Sequence, residues 1–247
     1  MDVALLLTVF SVALIAAFID VMVGGSSLII VPALASLGVP IFTAIGTNRI
    51  YVTVFVLTGL LNYLRKEVQL NLKFLVFFAA AQITGAAAGS FYVLNMSPEG
   101  AKKVVSTLMV LMLGAIFLLK HSKGIKAGRT NQFSLALAAT FAMGVYEGMV
   151  GGGSGIFTRA ILTVLLGWTI LEAAAATLAM SFPASSVSSA IFIAKGTIDY
   201  ILLLPMLAGG IIGAYAGTHL AVRKGTKWME HLFYVAVAAL LIKLIFF

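Results

Sequence analysis

The sequence predicts an all-α integral membrane protein made of two inverted-topology repeats, each a re-entrant helix hairpin followed by three transmembrane helices. Three observations predict this. First, 62% of the 247 residues are hydrophobic and only 10% are charged, where a soluble domain carries roughly 25% charged residues. Second, the apolar residues form long unbroken runs rather than the alternation of a membrane barrel, so the spans are helices. Third, the chain repeats itself, and each copy carries a Gly-rich break followed by an apolar run too short to cross a bilayer.

The runs fall at 3–22, 27–38, 41–64, 72–94, 103–120, 132–149, 154–167, 170–194, 199–219 and 228–246. A full span needs roughly 20 residues. The runs 27–38 and 154–167 are half-helices by that measure, and they follow "VGGSS" at 23–27 and "VGGGS" at 150–154. The N-terminal run has an acid and no basic residue before it, and no convincing cleavage site, so it is expected to stay in the membrane.

The second copy lies 127–130 positions after the first. Asp20 aligns with Glu147, Met22-Val23-Gly24-Gly25 with Met149-Val150-Gly151-Gly152, and Ser27 with Ser154. Thr47 falls near Thr177, and Gly85 and Gly89 match Gly213 and Gly217. The small-xxx-small spacing of Gly85/Gly89 and Gly209/Gly213/Gly217 reads as close helix packing. Residues 1–120 form the first repeat, 121–131 a cytoplasmic linker and 132–247 the second repeat.

Loop charges set the orientation. If each short run folds back beside its predecessor, each repeat makes three full crossings and the second is inverted. Ten basic residues then share one side: Arg65, Lys66, Lys73, Lys120, Lys123, Lys126, Arg129, Arg223, Lys224 and Lys227. Four take the other: Lys102, Lys103, Lys195 and Lys243. Reading each pair as one broken crossing would put Arg223, Lys224 and Lys227 outside, a worse fit to the positive-inside rule. The net charge of +8 therefore reads as membrane orientation, not nucleic-acid binding, and both termini are expected outside.

Irregular backbone survives at membrane depth only inside protein or beside a watery cavity. Two breaks at matching places in two repeats point to a transport site near the midplane. Glycine lets the chain reverse and a ligand approach the backbone. The helix that follows offers free N–H groups and a positive dipole end to an anion. Gly24, Gly25, Ser26 and Ser27, with Gly151, Gly152, Gly153 and Ser154, are the expected donors. The alternative is that these glycines only permit tight hairpin packing.

Arg49 lies eight residues into its run, roughly 12 Å deep at 1.5 Å per residue, with Thr47 and Asn48 beside it. Arg159 either points back at the same anion or snorkels to the nearer surface. Thr177 and Ser181 add hydroxyls from the mate of the Arg49 helix. Asp20 and Glu147 could carry a coupling proton, cap backbone donors or neutralise the arginines. Pro183 in "AMSFPASSVSSA" is a hinge or simply a packing feature. The three histidines, His121, His219 and His231, are far apart, no cysteine is present and no metal-ligand spacing appears.

The stretches "IDVMVGGSSLIIVPALASLGVPIFTAIGTNR" and "YEGMVGGGSGIFTRAILTVLLGWTILEAAAAT" resemble the TauE/SafE sulfite-exporter family of membrane permeases. The resemblance covers essentially the whole chain. It implies transport of a sulfur-containing anion such as sulfite or an organosulfonate, without a cofactor. Ser26 stands where many members have a third glycine. Leu178 stands where a basic residue would mirror Arg49, and Ser181 where an Asn is common.

Together these readings predict a multi-pass protein of the cell membrane. It would export its anion by alternating access of two repeats, driven by a proton or ion gradient, since no Walker-type loop exists for ATP. It is expected not to be an enzyme, with no cofactor, no metal and no nucleic-acid partner. Its partners would be a small anion and the bilayer, as a monomer or homodimer. A passive anion channel is the alternative, followed by an intramembrane lipid-phosphate enzyme, which the lack of clustered carboxylates or a metal set weakens.

Overall fold

The computed structural model describes residues 3–66, 68, 70, 72–105, 107–108, 132–151 and 153–246, with backbone alone for 72, 226 and 230–246. The expected linker at 121–131, most of the run ending at 120, and Gly152 lie outside the described residues. Among the described residues every regular element is a helix.

The order is α1 (Val3–Asp20), α2 (Ser27–Ser36), α3 (Ile41–Arg65) and α4 (Leu72–Leu94), then α5, described over 98–105 and 107–108. It continues with α6 (Gln132–Met149), α7 (Ser154–Leu166), α8 (Ile170–Ala194) and α9 (Tyr200–Phe246). Five of these, α1, α3, α4, α8 and α9 up to Gly225, are long and apolar enough to cross a membrane. The two half-helices of the sequence appear as α2, with 10 residues, and α7, with 13.

Local chemistry sets the ends. Gly24 and Gly25 (φ 101° and 99°) interrupt the chain between α1 and α2, and Gly151 and Gly153 (φ 76° and 84°) between α6 and α7. These are left-handed conformations that a Cβ disfavours. Thr169 and Glu172 form a reciprocal capping box at the start of α8, which satisfies two helix-end donors. α9 breaks at Gly225 (φ 77°), the gap the sequence leaves between its last two runs. α8 runs on through Pro183; the Phe182 carbonyl beside it accepts the hydroxyls of Ser185 and Ser186.

α3 and α8 form the buried centre. Thr53 Oγ1 and Ser189 Oγ lie 3.1 Å apart, while Gly59 faces Leu178, so the two helices run antiparallel. α9 runs parallel to α3, because Gly210 faces Tyr51 and Asn62 Nδ2 donates to Thr218 Oγ1 at 2.6 Å. α1 runs parallel to α9, with Phe10, Leu14 and Phe18 over Gly209, Gly213 and Gly217. α4 runs parallel to α8 through Gln82–Ser181 and Ser90–Ser188, and α6 parallel to α4 through Gly144–Gln82 and Gly148–Ala86. Hence α1, α3 and α9 point one way, and α4, α6 and α8 the other. The glycine ladders are interhelix seams: a Cβ at Gly85, Gly89, Gly213 or Gly217 would overlap the facing backbone.

α2 doubles back. Its start is tied to the end of α1 by the Ser26–Asp20 hydrogen bond, while Ile30, Ala33, Leu34 and Leu37 lie with Thr8, Val9 and Val12 near the beginning of α1. Ser27 is level with Asn48 in α3 and hydrogen-bonded to it. The first Gly-rich tip therefore sits level with the eighth of the 25 residues of α3.

Candidate functional site

The two tips meet. A Cβ on Gly24 would lie 2.5 Å from the Ile156 nitrogen and 2.7 Å from the Gly155 carbonyl carbon. Gly153 faces Leu28 and Gly25 faces Ile156. Beside this contact lies a cavity of about 20 Å³, enough for roughly one water. Asp20, Ser26 and Ser27 line it from the first tip, and Glu147, Gly151, Ser154 and Gly155 from the second. α3 contributes Arg49, Val52 and Val56; α8 contributes Thr177, Leu178 and Ser181.

Arg49 is fully buried, and among the described residues its Nε and both Nη atoms have no hydrogen-bond partner. Its guanidinium lies against Gly151, where a Cβ would sit 2.6 Å from Nη1 and 2.8 Å from Cζ. Gly151 is thus required by the left-handed turn and again by the arginine beside it. A buried guanidinium is an expensive group to leave without acceptors. Its five N–H donors suit a planar or tetrahedral oxyanion. Around it converge the hydroxyls of Ser26, Ser27, Ser154 and Thr177 and the starts of α2 and α7, where the first N–H groups have no intrahelical acceptor.

The other polar groups are held by specific bonds. The Ser26 N–H donates to Asp20 Oδ2 at 2.6 Å, so the Asp20 carboxylate caps the entry to α2. Asn48 Nδ2 donates to Ser27 Oγ at 2.8 Å, while its Oδ1 is buried without a partner. Asn48 therefore bears on the cavity through Ser27. Ser154 Oγ donates to the Gly151 carbonyl at 3.2 Å, and Thr177 Oγ1 to the Ala173 carbonyl at 2.7 Å. Glu147 is buried and accepts from Gln82 Nε2, which also donates to Ser181 Oγ at 3.1 Å.

The structure thus brings most of the expected site residues to one place and leaves some aside. Gly24, Gly25 and Gly153 shape the tips without lining the cavity. Thr47 faces away, its Oγ1 accepting the Asp199 N–H at 2.9 Å. Arg159 is also not among the lining residues. It is fully buried in α7, its three nitrogens have no hydrogen-bond partner among the described residues, and it is within electrostatic range of Asp20 and Tyr63. It does not snorkel to a surface. Gln82 was missed by sequence reasoning. The available signal was a lone amide in the apolar stretch "AAAQITGAAAG", since a polar group in a membrane helix asks for a partner.

The family model described as "Sulfite exporter TauE/SafE" matches residues 9–244 of this chain. The chain belongs to the TauE/SafE family. Relatives include a "Probable membrane transporter protein" of Haemophilus influenzae, 31% identical over 223 residues, which cover 90% of this chain and 87% of that protein. The "Probable membrane transporter protein ORF9" of a Sinorhizobium species is 28% identical across 98% of this chain and 92% of its own length. The "Probable membrane transporter protein YfcA" of Escherichia coli K12 is 25% identical across 98% and 90%. No solved structure matches the chain. As a TauE/SafE member with five helices able to span a bilayer, the chain is a multi-pass membrane protein of a transporter family.

Proposed function

We propose that this TauE/SafE protein is a secondary transporter of the cell membrane that exports a small sulfur-containing anion, sulfite or a short organosulfonate. The observation that carries the reading is Arg49, fully buried, without a hydrogen-bond acceptor among the described residues, and lining the cavity where the two Gly-rich tips meet. Arg49 supplies the charge. Ser26 and Ser27 and the backbone N–H groups at the starts of α2 and α7 supply directional hydrogen bonds, and Ser154 and Thr177 add theirs once their hydroxyls turn from the Gly151 and Ala173 carbonyls. Val52, Val56 and Leu178 offer an apolar wall to the carbon end of an organosulfonate.

Inverted repeats support alternating access. The helices α1, α3 and α4 of residues 1–120 point up, up and down, while their sequence mates α6, α8 and α9 point down, down and up. α1 with α2 forms a re-entrant hairpin, which enters and returns on one side before α3 crosses; α6 with α7 mirrors it. Arg65, Lys66, Lys73, Arg223, Lys224 and Lys227 then share the face at the end of α3, and the positive-inside rule makes that face cytoplasmic. A cavity with room for one water holds no sulfonate until the repeats part, which fits a closed intermediate of such a cycle.

The test is calorimetry and thermal shift on purified protein with sulfite, sulfate and methanesulfonate. Arg49→Ala is expected to weaken binding by roughly 10- to 150-fold, the equivalent of about 1.5–3 kcal/mol for one hydrogen bond to a charged group. Unchanged affinity in a folded variant overturns the site. Flux into proteoliposomes is expected to saturate with anion concentration; linear flux would identify a channel.

A further inference from the structure

Four ionisable side chains gather around the tips: Asp20 and Glu147 of the two hairpins, and Arg49 and Arg159. Asp20, Arg49 and Glu147 line one cavity, and Arg159 is within electrostatic range of Asp20. With all four ionised, their charges sum to zero. An anion entering beside Arg49 would leave this buried cluster with one uncompensated negative charge, an expensive state in low dielectric. One of the two carboxylates must take up a positive charge to restore the balance.

The two carboxylates are not equivalent, although the repeats align them. Asp20 is committed to structure. Its Oδ2 accepts the Ser26 N–H at 2.6 Å, which holds the turn into α2, and its counter-charge Arg159 lies off the cavity. Protonating it would weaken the cap that shapes the first tip. Glu147 has a different setting. It lines the same cavity as Arg49, and among the described residues no Arg49 nitrogen has a hydrogen-bond partner, so Glu147 and Arg49 share the space an anion would take without being bonded to each other.

We infer that Glu147 is a proton-binding site that loads together with the anion, with Gln82 as the amide that serves both of its protonation states. This rests on the anion site proposed above. In the empty protein the Glu147 carboxylate balances Arg49. When the anion takes the Arg49 guanidinium, a proton from water adds to a carboxylate oxygen of Glu147, giving a neutral acid and restoring a cluster sum of zero. When the anion leaves, the proton returns to water and Glu147 again balances Arg49. One proton travels with each monovalent anion.

The surroundings of Glu147 support both forms. From α4, Gln82 Nε2 donates to the carboxylate, while Gln82 Oε1 is buried with no partner. Half a turn of that amide presents the idle acceptor to a Glu147 O–H, and amide nitrogen and oxygen can exchange places in this way. From α8, Ser181 Oγ can donate to the carboxylate or accept from the acid. The remaining groups that face Glu147 are Arg49 on α3, Asp20 on α1 and, along its own helix, Tyr146, which lies near Arg49.

The experiment uses purified full-length protein and methanesulfonate, which stays ionised over the whole range. Its affinity is measured by calorimetry between roughly pH 5 and 8 for the wild type and Glu147→Gln. With one linked proton, wild-type affinity falls up to about tenfold per pH unit as pH rises. Glu147→Gln is already neutral, so its affinity is expected to be flat with pH. A flat wild type or a Glu147→Gln protein that keeps the slope overturns the assignment while leaving the anion site standing. If the wild type binds none of the anions, the anion site fails and this inference falls with it. An indicator dye in weakly buffered solution gives a check without any variant: adding methanesulfonate to wild type should raise the bulk pH by one proton per bound anion, and no uptake refutes the coupling.

Discussion

Gly24 and Gly38 make a matched pair that isolates the energy of the contact between the tips. Both have positive φ, 101° and 81°. Alanine at either position meets the left-handed strain of an L residue, about 1–2 kcal/mol. At Gly38 nothing lies within 4 Å of the added methyl, so the strain is the whole effect. At Gly24 the methyl would lie 2.5 Å from the Ile156 nitrogen and 2.7 Å from the Gly155 carbonyl carbon. These are backbone atoms with no rotamer to move, so the tips must separate. Overpacking of this kind adds about 1–3 kcal/mol. Gly24→Ala is therefore expected to destabilise by roughly 2–5 kcal/mol and Gly38→Ala by roughly 1–2 kcal/mol. The measurement is reversible unfolding by SDS in mixed micelles, with wild type and both variants side by side. Equal losses for the two variants would refute the claim that the breaks exist to let the half-helices touch. A second readout follows from the geometry: Gly24→Ala should also weaken anion binding, since Ser26 and Ser154 sit on the parts that move, while Gly38→Ala should not.

Tyr63 Oη donates to the Val21 carbonyl at 2.9 Å in a fully buried setting. Tyr63→Phe leaves that carbonyl unsatisfied and should cost about 1–3 kcal/mol in the same unfolding measurement; no loss would mean water reaches the group. Orientation is open to single-cysteine labelling, because the chain contains no cysteine. A cysteine at Lys195 should react with an impermeant reagent in intact cells and one at Lys66 only after permeabilisation. The reverse pattern would overturn the assignment of the cytoplasmic face.

The amino-acid sequence by itself determined the membrane class, the family and the two short helices. These features are local. Apolar run length reports a span, and a Gly-Gly pair reports a chain reversal, without any knowledge of contacts. Only the tertiary structure decided which polar groups share the cavity. Gln82 is 65 residues from Glu147 and 99 from Ser181, and it reaches both because the glycine seam lets α4 settle on α6 while its other contacts run along α8. Thr47 is adjacent to the Asn48–Arg49 pair in sequence, yet it caps the start of α9 through the Asp199 N–H. Helical geometry turns neighbouring residues to different sides, and packing then selects which side meets the tips. The same selection separated two arginines that looked alike in sequence: Arg49 lines the cavity, and Arg159 is buried in α7 away from its lining. Spacing along a helix fixes the direction a side chain can take, but what stands there is fixed by helices that pack from distant parts of the chain.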